Sequence, residues 1–309
     1  MLHIRNLTEG LKIFKALGSE VRINIIKLLL ENREMNMNEI ASSLGITNGA
    51  LTNHIKKLED SGIVKIIPEY TGHGNQKVCR VDVDKILFEL SLDSKNEEEK
   101  IYTTEVPIGH YSNYEVFPTC GIATKEALIG EADDSRYFAS PERMDAQILW
   151  FSKGYVEYLI PNLLPVQQKI DQITLSLEIS SEAPGVNNDW PSDITFGLND
   201  KEIGTWTSPG DYGDVHGIFT PNWWFPNWNQ YGLLKMLVIN KNGTFIDGLK
   251  ISDVTIDHFN FNYKSSIRFK IQVRDDAKNV GGVTLFGKHF GNYNQNIAVR
   301  IQYSPMEHS

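Results

Sequence analysis

The spacing of apolar residues changes along this chain from the period of helices to the alternation of strands. In residues 1–92 apolar side chains recur every three or four positions, whereas beyond residue 103 they alternate in short segments bounded by turns. Residues 93–102 lie between these regions, and the first eight of them carry no apolar side chain. The pattern predicts a multi-domain α+β protein with a helical domain at 1–92, a linker at 93–102 and a β-domain at 103–309.

Glycines divide the helical domain into four predicted helices. A helical run over 8–32 is interrupted at Gly18, after which Ser19 is expected to cap the second helix. Gly45 marks a tight turn between a third and a fourth helix, and Gly62 ends the fourth.

A β-hairpin is predicted to follow the fourth helix. Two strands, at 63–67 and 77–83, flank a polar, glycine-containing stretch at 68–76 that has the length of an exposed loop. One more amphipathic helix is predicted at 84–92. Helices followed by a hairpin in this order predict a winged helix-turn-helix, with the hairpin loop as the wing.

The fourth helix has the side chains expected of a helix that enters the major groove of DNA. Leu51, Ile55 and Leu58 supply an apolar face for packing, opposite a polar edge. Asparagine can bond adenine at two points, and lysine can neutralise phosphates. The alternative is an ordinary helical pair with a solvated polar face. The predicted DNA-binding residues of the helix and the wing are Thr47, Asn48, Gly49, Thr52, Asn53, Lys56, Tyr70, His73, Asn75 and Lys77.

The distribution of charge agrees with a DNA-binding module attached to a different kind of domain. The whole chain has a formal net charge of −9. Residues 1–81 nevertheless carry 11 Lys and Arg against 8 Asp and Glu, whereas residues 93–309 carry 18 against 28. Double-stranded DNA is therefore expected to be a partner of the basic first domain.

Four stretches of the first domain, at 14–22, 39–41, 51–58 and 62–64, resemble the ArsR/SmtB family of bacterial winged-helix regulators. The resemblance covers less than a third of the chain. It implies a homodimer formed through the first helix and the helix after the wing. The two recognition helices of the dimer would then bind DNA half-sites about one helical turn apart.

The sequence departs from this family where many members bind metal. Those members carry Cys-x-Cys in the helix before the recognition helix, but residues 37–44 contain no cysteine. Metal sensing at that site is not expected, and His54 is expected to pack or to face DNA. The two cysteines, Cys79 and Cys120, predict neither a disulfide framework nor a multi-cysteine metal site. No cofactor is therefore predicted.

The β-domain is predicted to form one large antiparallel β-sandwich of jelly-roll-like architecture. Convincing helix is scarce, and turn signals separate the alternating segments. The architecture resembles that of carbohydrate-binding jelly-roll modules. Strands are predicted at 155–160, 173–180, 193–198, 233–240, 257–263, 266–275 and 297–303.

Five of the six tryptophans fall between residues 190 and 228, among tyrosines, asparagines and aspartates. Aromatic faces cover the CH faces of a sugar, and polar groups bond its hydroxyls. Asp211 and Asp214 share a turn and are expected to face one pocket, with a structural Ca²⁺ nearby as an open possibility. The competing interpretation is that the rings fill the core. The predicted ligand-binding residues are Trp190, Trp206, Asp211, Tyr212, Asp214, Trp223, Trp224, Trp228 and Tyr231.

These features predict a one-component transcription regulator, expected to be a repressor, whose β-sandwich senses a sugar or oligosaccharide. Two alternatives stay open: a carbohydrate-active enzyme or binding module with an accessory helical domain, and a regulator whose sandwich serves only assembly or partner binding. The chain is not expected to be an enzyme, because it has no nucleophile elbow, P-loop or dinucleotide fingerprint. It has no apolar run that could span a membrane and no secretory signal, so a cytoplasmic location is expected.

Overall fold

In the computed structural model of this chain, the described residues are 2–4, 7–71, 74–83, 86–88 and 100–306. The chain divides into two compact units, Met1–Glu98 and Glu99–Ser309. The boundary lies inside the predicted linker, and residues 100–102 of that linker already belong to a strand.

The described part of the first unit contains four α-helices and two small sheets. In chain order its elements are β1 (Leu2–Ile4), α1 (Leu7–Leu17), α2 (Glu20–Asn32), β2 (Glu34–Asn36), α3 (Met37–Leu44), α4 (Asn48–Asp60), β3 (Val64–Thr71), β4 (Gly74–Val81) and β5 (Ile86–Phe88). Strands β2, β4 and β3 form an antiparallel sheet in that order, and β1 pairs with β5 in parallel. The predicted four helices are confirmed.

Arg22 closes the junction between α1 and α2. The last carbonyl groups of a helix lack partners within the helix. The buried Arg22 side chain donates from Nε to the Ala16 carbonyl at 2.5 Å and from Nη2 to the Lys15 carbonyl at 2.6 Å. Ser19 occupies the predicted N-cap position of α2, but its side chain makes no capping hydrogen bond. The arginine therefore holds this junction.

The turn between α3 and α4 forms as the sequence predicts. Asn36 begins α3 with a capping box, in which its side chain and that of Glu39 each accept a backbone N–H from the other residue. Gly45 ends α3 at φ 63°, a left-handed conformation that glycine adopts without strain. Thr47 then caps α4, because its Oγ1 accepts the Ala50 N–H at 3.3 Å.

The predicted wing has longer strands than the sequence indicates. β3 and β4 pair from Val64 with Val81 to Thr71 with Gly74, so most of the predicted loop at 68–76 is strand. Strands pair through backbone hydrogen bonds, which do not require apolar side chains. A polar stretch can therefore form a strand that the side-chain pattern does not indicate. β2 is an unpredicted third strand on the other side of β4, and its three residues are too few to show alternation.

The helix predicted at 84–92 is wrong where the structure describes that segment. β5 is a strand that pairs with β1, with Ile86 opposite Leu2. Ile86 and Phe88 pack against the core of the first unit, and the Phe88 ring stacks on Phe14 with centroids 4.7 Å apart. Tertiary packing therefore overrides the helical spacing. The rest of that segment lies outside the described residues.

The second unit consists of strands and short 3-10 helices in its described residues. The strands are β6 (Lys100–Val106), β7 (Tyr111–Ala123), β8 (Ile148–Ile160), β9 (Gln168–Ser180), β10 (Ser192–Leu198), β11 (Lys201–Ser208), β12 (Leu233–Asn240), β13 (Gly243–Ile246), β14 (Leu249–Ser252), β15 (Ile267–Val273), β16 (Val283–Phe286) and β17 (Ile297–Pro305). The 3-10 helices are Ser135–Ala139, Pro141–Asp145 and Ile256–His258.

The strands of the second unit form an antiparallel sheet that folds over on itself. One half has the order β11–β10–β15–β8–β7, the other has the order β6–β17–β9–β12–β13–β14, and β16 pairs with both β8 and β9. The two edges meet where Gly204 of β11 lies against the Ile251 side chain of β14, so closely that an added Cβ would sit 2.5 Å from Ile251 Cδ1. The predicted antiparallel β-sandwich is confirmed, and it is nearly closed.

The alternation of apolar and polar residues correctly predicts some strands of the sandwich, but at 257–263 it predicts a strand that does not form. In β15, Ile267, Phe269, Ile271 and Val273 are buried and alternate with more exposed residues. The strand predicted at 257–263 is wrong, because this stretch begins in a 3-10 turn and continues as a loop. The rings of Phe259 and Phe261 stack there with centroids 5.5 Å apart, so aromatic residues of a loop imitate a strand.

Candidate nucleic-acid interface and ligand cleft

The outer face of α4 presents a continuous polar edge to solvent. Leu51, Ile55 and Leu58 point the other way and are buried in the core of the first unit. All six residues that the sequence places in the DNA-binding helix are exposed on this edge. We call this surface the recognition edge; its residues are Thr47, Asn48, Gly49, Thr52, Asn53 and Lys56.

Hydrogen bonds within the first unit fix part of the recognition edge. The Asn48 side chain donates from Nδ2 to Asn38 Oδ1 at 2.9 Å and so joins α4 to α3. The Thr52 hydroxyl donates to the Asn48 carbonyl at 2.8 Å, which leaves its oxygen free to accept and its methyl group free to make contacts. A Cβ added at Gly49 would meet no atom within 4 Å, so packing inside the protein does not require glycine there.

His54 lies beside the recognition edge and is half-buried. Burial lowers the pKa of its imidazole, and the positive charges of Arg22 and Lys57 lower it further. A histidine with a lowered pKa is neutral at neutral pH. The positive charge on this side of α4 therefore comes from Lys56 and Lys57, which are both exposed.

The structure places the predicted wing residues only in part. Lys77 is exposed on β4. Tyr70 and Asn75 pair through their backbones across the hairpin, but their side chains lie outside the described part of the chain. His73 also lies outside the described residues.

Helix α1 exposes an apolar stripe on the surface of the first unit. Leu7 and Leu11 are each 49% exposed and Phe14 is 39% exposed. Spacings of four and three residues place these side chains on one face of the helix. Ile13 and Ala16 meanwhile anchor the opposite face in the core.

Trp224 is not a surface residue of the second unit, and its assignment as a ligand-binding residue is wrong. It is 2% exposed and meets Trp150, Trp228 and Phe290 edge to face, with centroids 5.8, 5.1 and 4.9 Å away. Its Nε1 donates to the Asn229 carbonyl at 2.8 Å. The loop that carries it folds back onto the sandwich, so the ring has no face to offer a ligand.

Three other predicted tryptophans make separate contacts. Trp223 is half-buried against this aromatic cluster, and its Nε1 donates to the Lys125 carbonyl at 2.7 Å. Trp206 packs on the main core of the sandwich, with Lys235 Nζ 4.6 Å from its ring centroid. The Trp190 backbone N–H donates to the Pro209 carbonyl at 3.0 Å. The structure does not gather these rings into one pocket.

The turn that carries Asp211 and Asp214 directs its two carboxylates apart. Asp211 is fully buried, and its Oδ2 accepts the Ala183 N–H at 3.0 Å. Asp214 is exposed, and its Oδ1 accepts the Tyr231 hydroxyl at 2.6 Å, beside a stacked Tyr212–Tyr231 pair with centroids 5.3 Å apart. The expectation of one shared pocket is wrong, because the Asp211 carboxyl group is buried inside the second unit whereas that of Asp214 lies on its surface.

A cleft of about 140 Å³ opens beside the aromatic cluster. Trp150 and Trp228 form its aromatic side, with ring centroids 5.7 Å apart and planes at 68°. Among the predicted ligand-binding residues, Trp228 is the one that lines it. The lining residues are Thr119, Ala132, Asp133, Trp150, Glu182, Ala183, Pro184, Gly185, Trp228 and Asn229.

The polar side of the cleft is built around the Glu182 carboxyl group. It accepts hydrogen bonds from Thr119 Oγ1 at 3.4 Å, Asn229 Nδ2 at 3.0 Å and Thr284 Oγ1 at 3.1 Å. Burial raises the pKa of Glu182 well above its usual range, and the neighbouring Asp211 carboxyl raises it further. Burial also raises the pKa of Asp211 to about 7. Two adjacent carboxyl groups therefore hold protons to a higher pH than carboxyl groups in water do.

No group of three or more His, Cys, Asp or Glu side chains is arranged to hold a metal ion among the described residues. The Ca²⁺ considered near residues 209–214 would draw on backbone carbonyl oxygens as well, and it stays a prediction. In the same part of the chain, no helix combines the length and apolar character needed to cross a membrane.

Comparison with known proteins identifies the α2-to-β3 segment. Residues 19–65 match the family model described as "Winged helix-turn-helix DNA-binding". The segment is a winged helix-turn-helix. This match supports the predicted class of the first domain and does not reach the finer ArsR/SmtB assignment. No curated protein sequence matches the chain.

Two solved structures resemble the chain distantly. The C-terminal CBM6 of LamC, a marine laminarinase from Zobellia galactanivorans, is 8% identical, with 65% of this chain and 99% of that chain covered and a TM-score of 0.28. The mosquito-larvicidal Cry4Aa toxin from Bacillus thuringiensis is 9% identical, with 78% of this chain and 29% of the toxin covered and a TM-score of 0.30. Neither likeness is close enough to inform the choice of ligand.

Thr119, Asp133, Trp150 and Glu182 line the cleft without having been predicted. They come from β7, the segment after it, β8 and the segment after β9. Nothing in the local sequence marks them, since they meet only when the sheet folds. The one available signal is that Trp150 is the tryptophan outside the 190–228 group.

Proposed function

We propose that this protein is a transcription regulator that binds double-stranded DNA through the recognition edge of α4. The observation that carries the proposal is the exposure of six polar or small residues on one face of α4, whose other face is buried against the core. The match of residues 19–65 to a DNA-binding winged helix supports the same function. Asn48, Thr52 and Asn53 would contact base edges, and Lys56 would contact phosphate.

We further propose that the regulator is a homodimer joined through α1. The exposed stripe of Leu7, Leu11 and Phe14 would leave water when a second copy covers it, which favours association. The helix after the wing, which the family resemblance implies as part of the interface, is replaced by β5 where the structure describes that segment. The dimer proposal therefore rests on α1.

The cleft lined by Trp150 and Trp228 is the proposed effector site. An aromatic side next to carboxyl, hydroxyl and amide groups suits a small polyhydroxylated molecule such as a sugar. An apolar cavity of about 150 Å³ can hold benzene, so a cleft of about 140 Å³ suits one six-membered ring. Effector binding would change the affinity for DNA and so make the protein a ligand-controlled repressor rather than an enzyme.

The proposal is tested by fluorescence anisotropy with the full chain and labelled duplexes that tile the DNA upstream of its own gene. We expect one duplex to bind more tightly than a scrambled duplex of the same length and composition. Equal, weak binding to every duplex would contradict the proposal.

A further inference from the structure

The residues that line the cleft carry an unbalanced negative charge. Asp133 and Glu182 contribute carboxyl groups, and none of the ten lining residues is Lys, Arg or His. The fully buried Asp211 carboxyl group lies directly behind the wall, since its Oδ2 accepts the backbone N–H of the lining residue Ala183. Once these carboxyl groups are ionised, a neutral sugar would leave their charge without a positive partner.

In the described part of the chain, the groups that act on the Glu182 carboxyl group are hydrogen-bond donors and other carboxyl groups, and none is a cation. Thr119, Asn229 and Thr284 donate to its oxygens, while the charged groups that act on it, Asp211 and Asp133, are both acidic. Buried charges in proteins are normally paired, because an unpaired charge in a poorly solvated place is costly. The raised pKa of Glu182 is the expected response to a missing cation.

A second sign of an incomplete site lies on Asp211. Its Oδ1 is buried and makes no well-formed hydrogen bond among the described residues, so that the Tyr212 backbone N–H is the one donor that acts on that side of the carboxyl group. Buried polar atoms are usually satisfied, so an unsatisfied carboxylate oxygen beside a cleft indicates a missing donor or cation. The carboxyl groups of Asp211 and Glu182, which lie on either side of Ala183 in their contacts, therefore both lack a positively charged partner among the residues that the structure describes.

The aromatic side of the cleft favours the same class of ligand. The π faces of tryptophan are negative and attract cations within about 6 Å of the ring centroid. Trp228 is half-buried and, like Glu182, lines the cleft. An aromatic ring and carboxyl groups in one cleft suit a molecule that has both an apolar CH face and an ammonium group.

We propose that the cleft binds a ligand that carries a protonated amine, such as an amino sugar, with the ammonium group against Glu182 and the ring against Trp228. This inference rests on the proposed effector role of the cleft and narrows its ligand. The ammonium group stabilises the ionised form of Glu182, so binding releases a proton from the site. Asp211 and Asp133, the other acidic groups facing Glu182, strengthen this attraction at higher pH.

The test is calorimetric titration of the full chain at pH 6.5 with glucosamine, N-acetylglucosamine and glucose at constant ionic strength. These probes differ by a charged amine, its neutral amide and a hydroxyl. Hydrogen bonds to charged groups are worth more than neutral ones, so glucosamine is expected to bind about tenfold or more tighter than the other two. Glu182→Gln should abolish this preference, whereas Asp214→Asn, at an exposed carboxylate outside the cleft, should retain it.

The other outcomes of the titration distinguish failure of the amine inference from failure of the proposed effector role. Equal affinity for glucose and glucosamine, or a preference that survives in Glu182→Gln, overturns the amine inference and leaves the effector role in place. If neither glucosamine nor the acyclic amine N-methylglucamine gives a saturable heat of binding, the amine inference is overturned. If glucose also gives no saturable heat, the proposed effector role of the cleft loses its support. The comparison of the three probes uses the wild-type protein, so it holds even if a variant fails to fold. DNA binding is measured in a separate experiment.

Discussion

Asn53 is the side chain of the recognition edge best suited to direct base contact. It is exposed on α4, one turn beyond Gly49, where the backbone can approach another molecule closely. An asparagine amide can donate to and accept from the same adenine edge. We expect Asn53→Ala to weaken binding to the preferred duplex by about 1–3 kcal/mol and to leave binding to scrambled DNA nearly unchanged.

The matched control for this variant is Asn32→Ala, the same substitution at the exposed end of α2. The Asn32 side chain donates to the Leu28 carbonyl within its own helix and lies outside the recognition edge. Anisotropy titrations of both variants separate a base contact from a general loss of helix stability. Equal losses in the two variants would rule out the assigned role of Asn53.

Asp211 gives the second unit a pH-dependent stability. Its pKa is raised from 3.8 to about 7 in the folded protein, so the folded state binds more protons than the unfolded state between these values. Its contribution is fully present below about pH 4 and is lost as the pH rises through about 7. Asp211→Asn keeps an acceptor for the Ala183 N–H and removes the titration.

We expect this substitution to raise the free energy of unfolding at pH 8, relative to its effect at pH 5, by about 1–3 kcal/mol. Urea unfolding followed by tryptophan fluorescence at the two pH values measures the difference. Asp214→Asn, at the exposed carboxylate of the same turn, is the control. Parallel pH profiles for wild type and Asp211→Asn would contradict the assigned burial of this carboxyl group.

At the scale of elements, α1 carries the proposed dimer interface. A charge placed in the middle of its apolar stripe should prevent a second copy from covering it, because burying an unpaired carboxylate is costly. We expect Leu11→Glu to shift the protein from dimer to monomer in light scattering after size exclusion, and to weaken DNA binding through loss of the second recognition helix.

The control for this change is Leu249→Glu, the same substitution at a leucine that is 74% exposed in the second unit. It adds the same charge to a surface with no proposed partner. A dimer that persists in Leu11→Glu, or a wild-type protein that is already monomeric, would exclude the α1 interface.

The elements that the sequence predicts well are those with a strong local signal. Gly45 and Thr47 mark the turn and the start of α4 because left-handed backbone and helix capping require particular residue types. β5 was not predictable, since Ile86 and Phe88 become a strand only through pairing with β1. Three-residue strands such as β2 are likewise decided by their partners.

The two candidate sites also differ in how far the sequence predicts them. The exposure of the recognition edge was predictable because it lies on a single helix, whose period places its residues on one face, while their contact with DNA stays a prediction. The cleft was not, because its lining comes from several strands and connecting segments. Trp224 and Trp228 are four residues apart in one loop, yet one is core and the other lines the cleft, and no local pattern distinguishes them.

At the scale of the whole molecule, the proposed function requires the two units to influence each other. A ligand shifts DNA affinity only if it binds the DNA-competent and incompetent states differently. Linkage then makes the effect reciprocal, so DNA must change the affinity for the ligand by the same factor. We expect glucosamine to change the dissociation constant of the preferred duplex by about 5–150-fold.

The reciprocal titration, glucosamine into protein saturated with the preferred duplex, measures the same factor from the other side. Glucose, at the same concentration, is the control ligand. A duplex affinity that glucosamine leaves unchanged would show that the second unit does not control the first through this cleft.

The most direct test of DNA recognition by α4 is the salt dependence of binding to the preferred and the scrambled duplex, measured by anisotropy for the wild type and Lys56→Ala. A phosphate contact releases bound counterions, so removing one lowers the salt slope by about 1. We expect tighter binding to the preferred duplex at every salt concentration, with a shallower slope and weaker binding to both duplexes in Lys56→Ala. Equal binding of the two duplexes by the wild type, with a slope that Lys56→Ala does not change, would contradict this expectation.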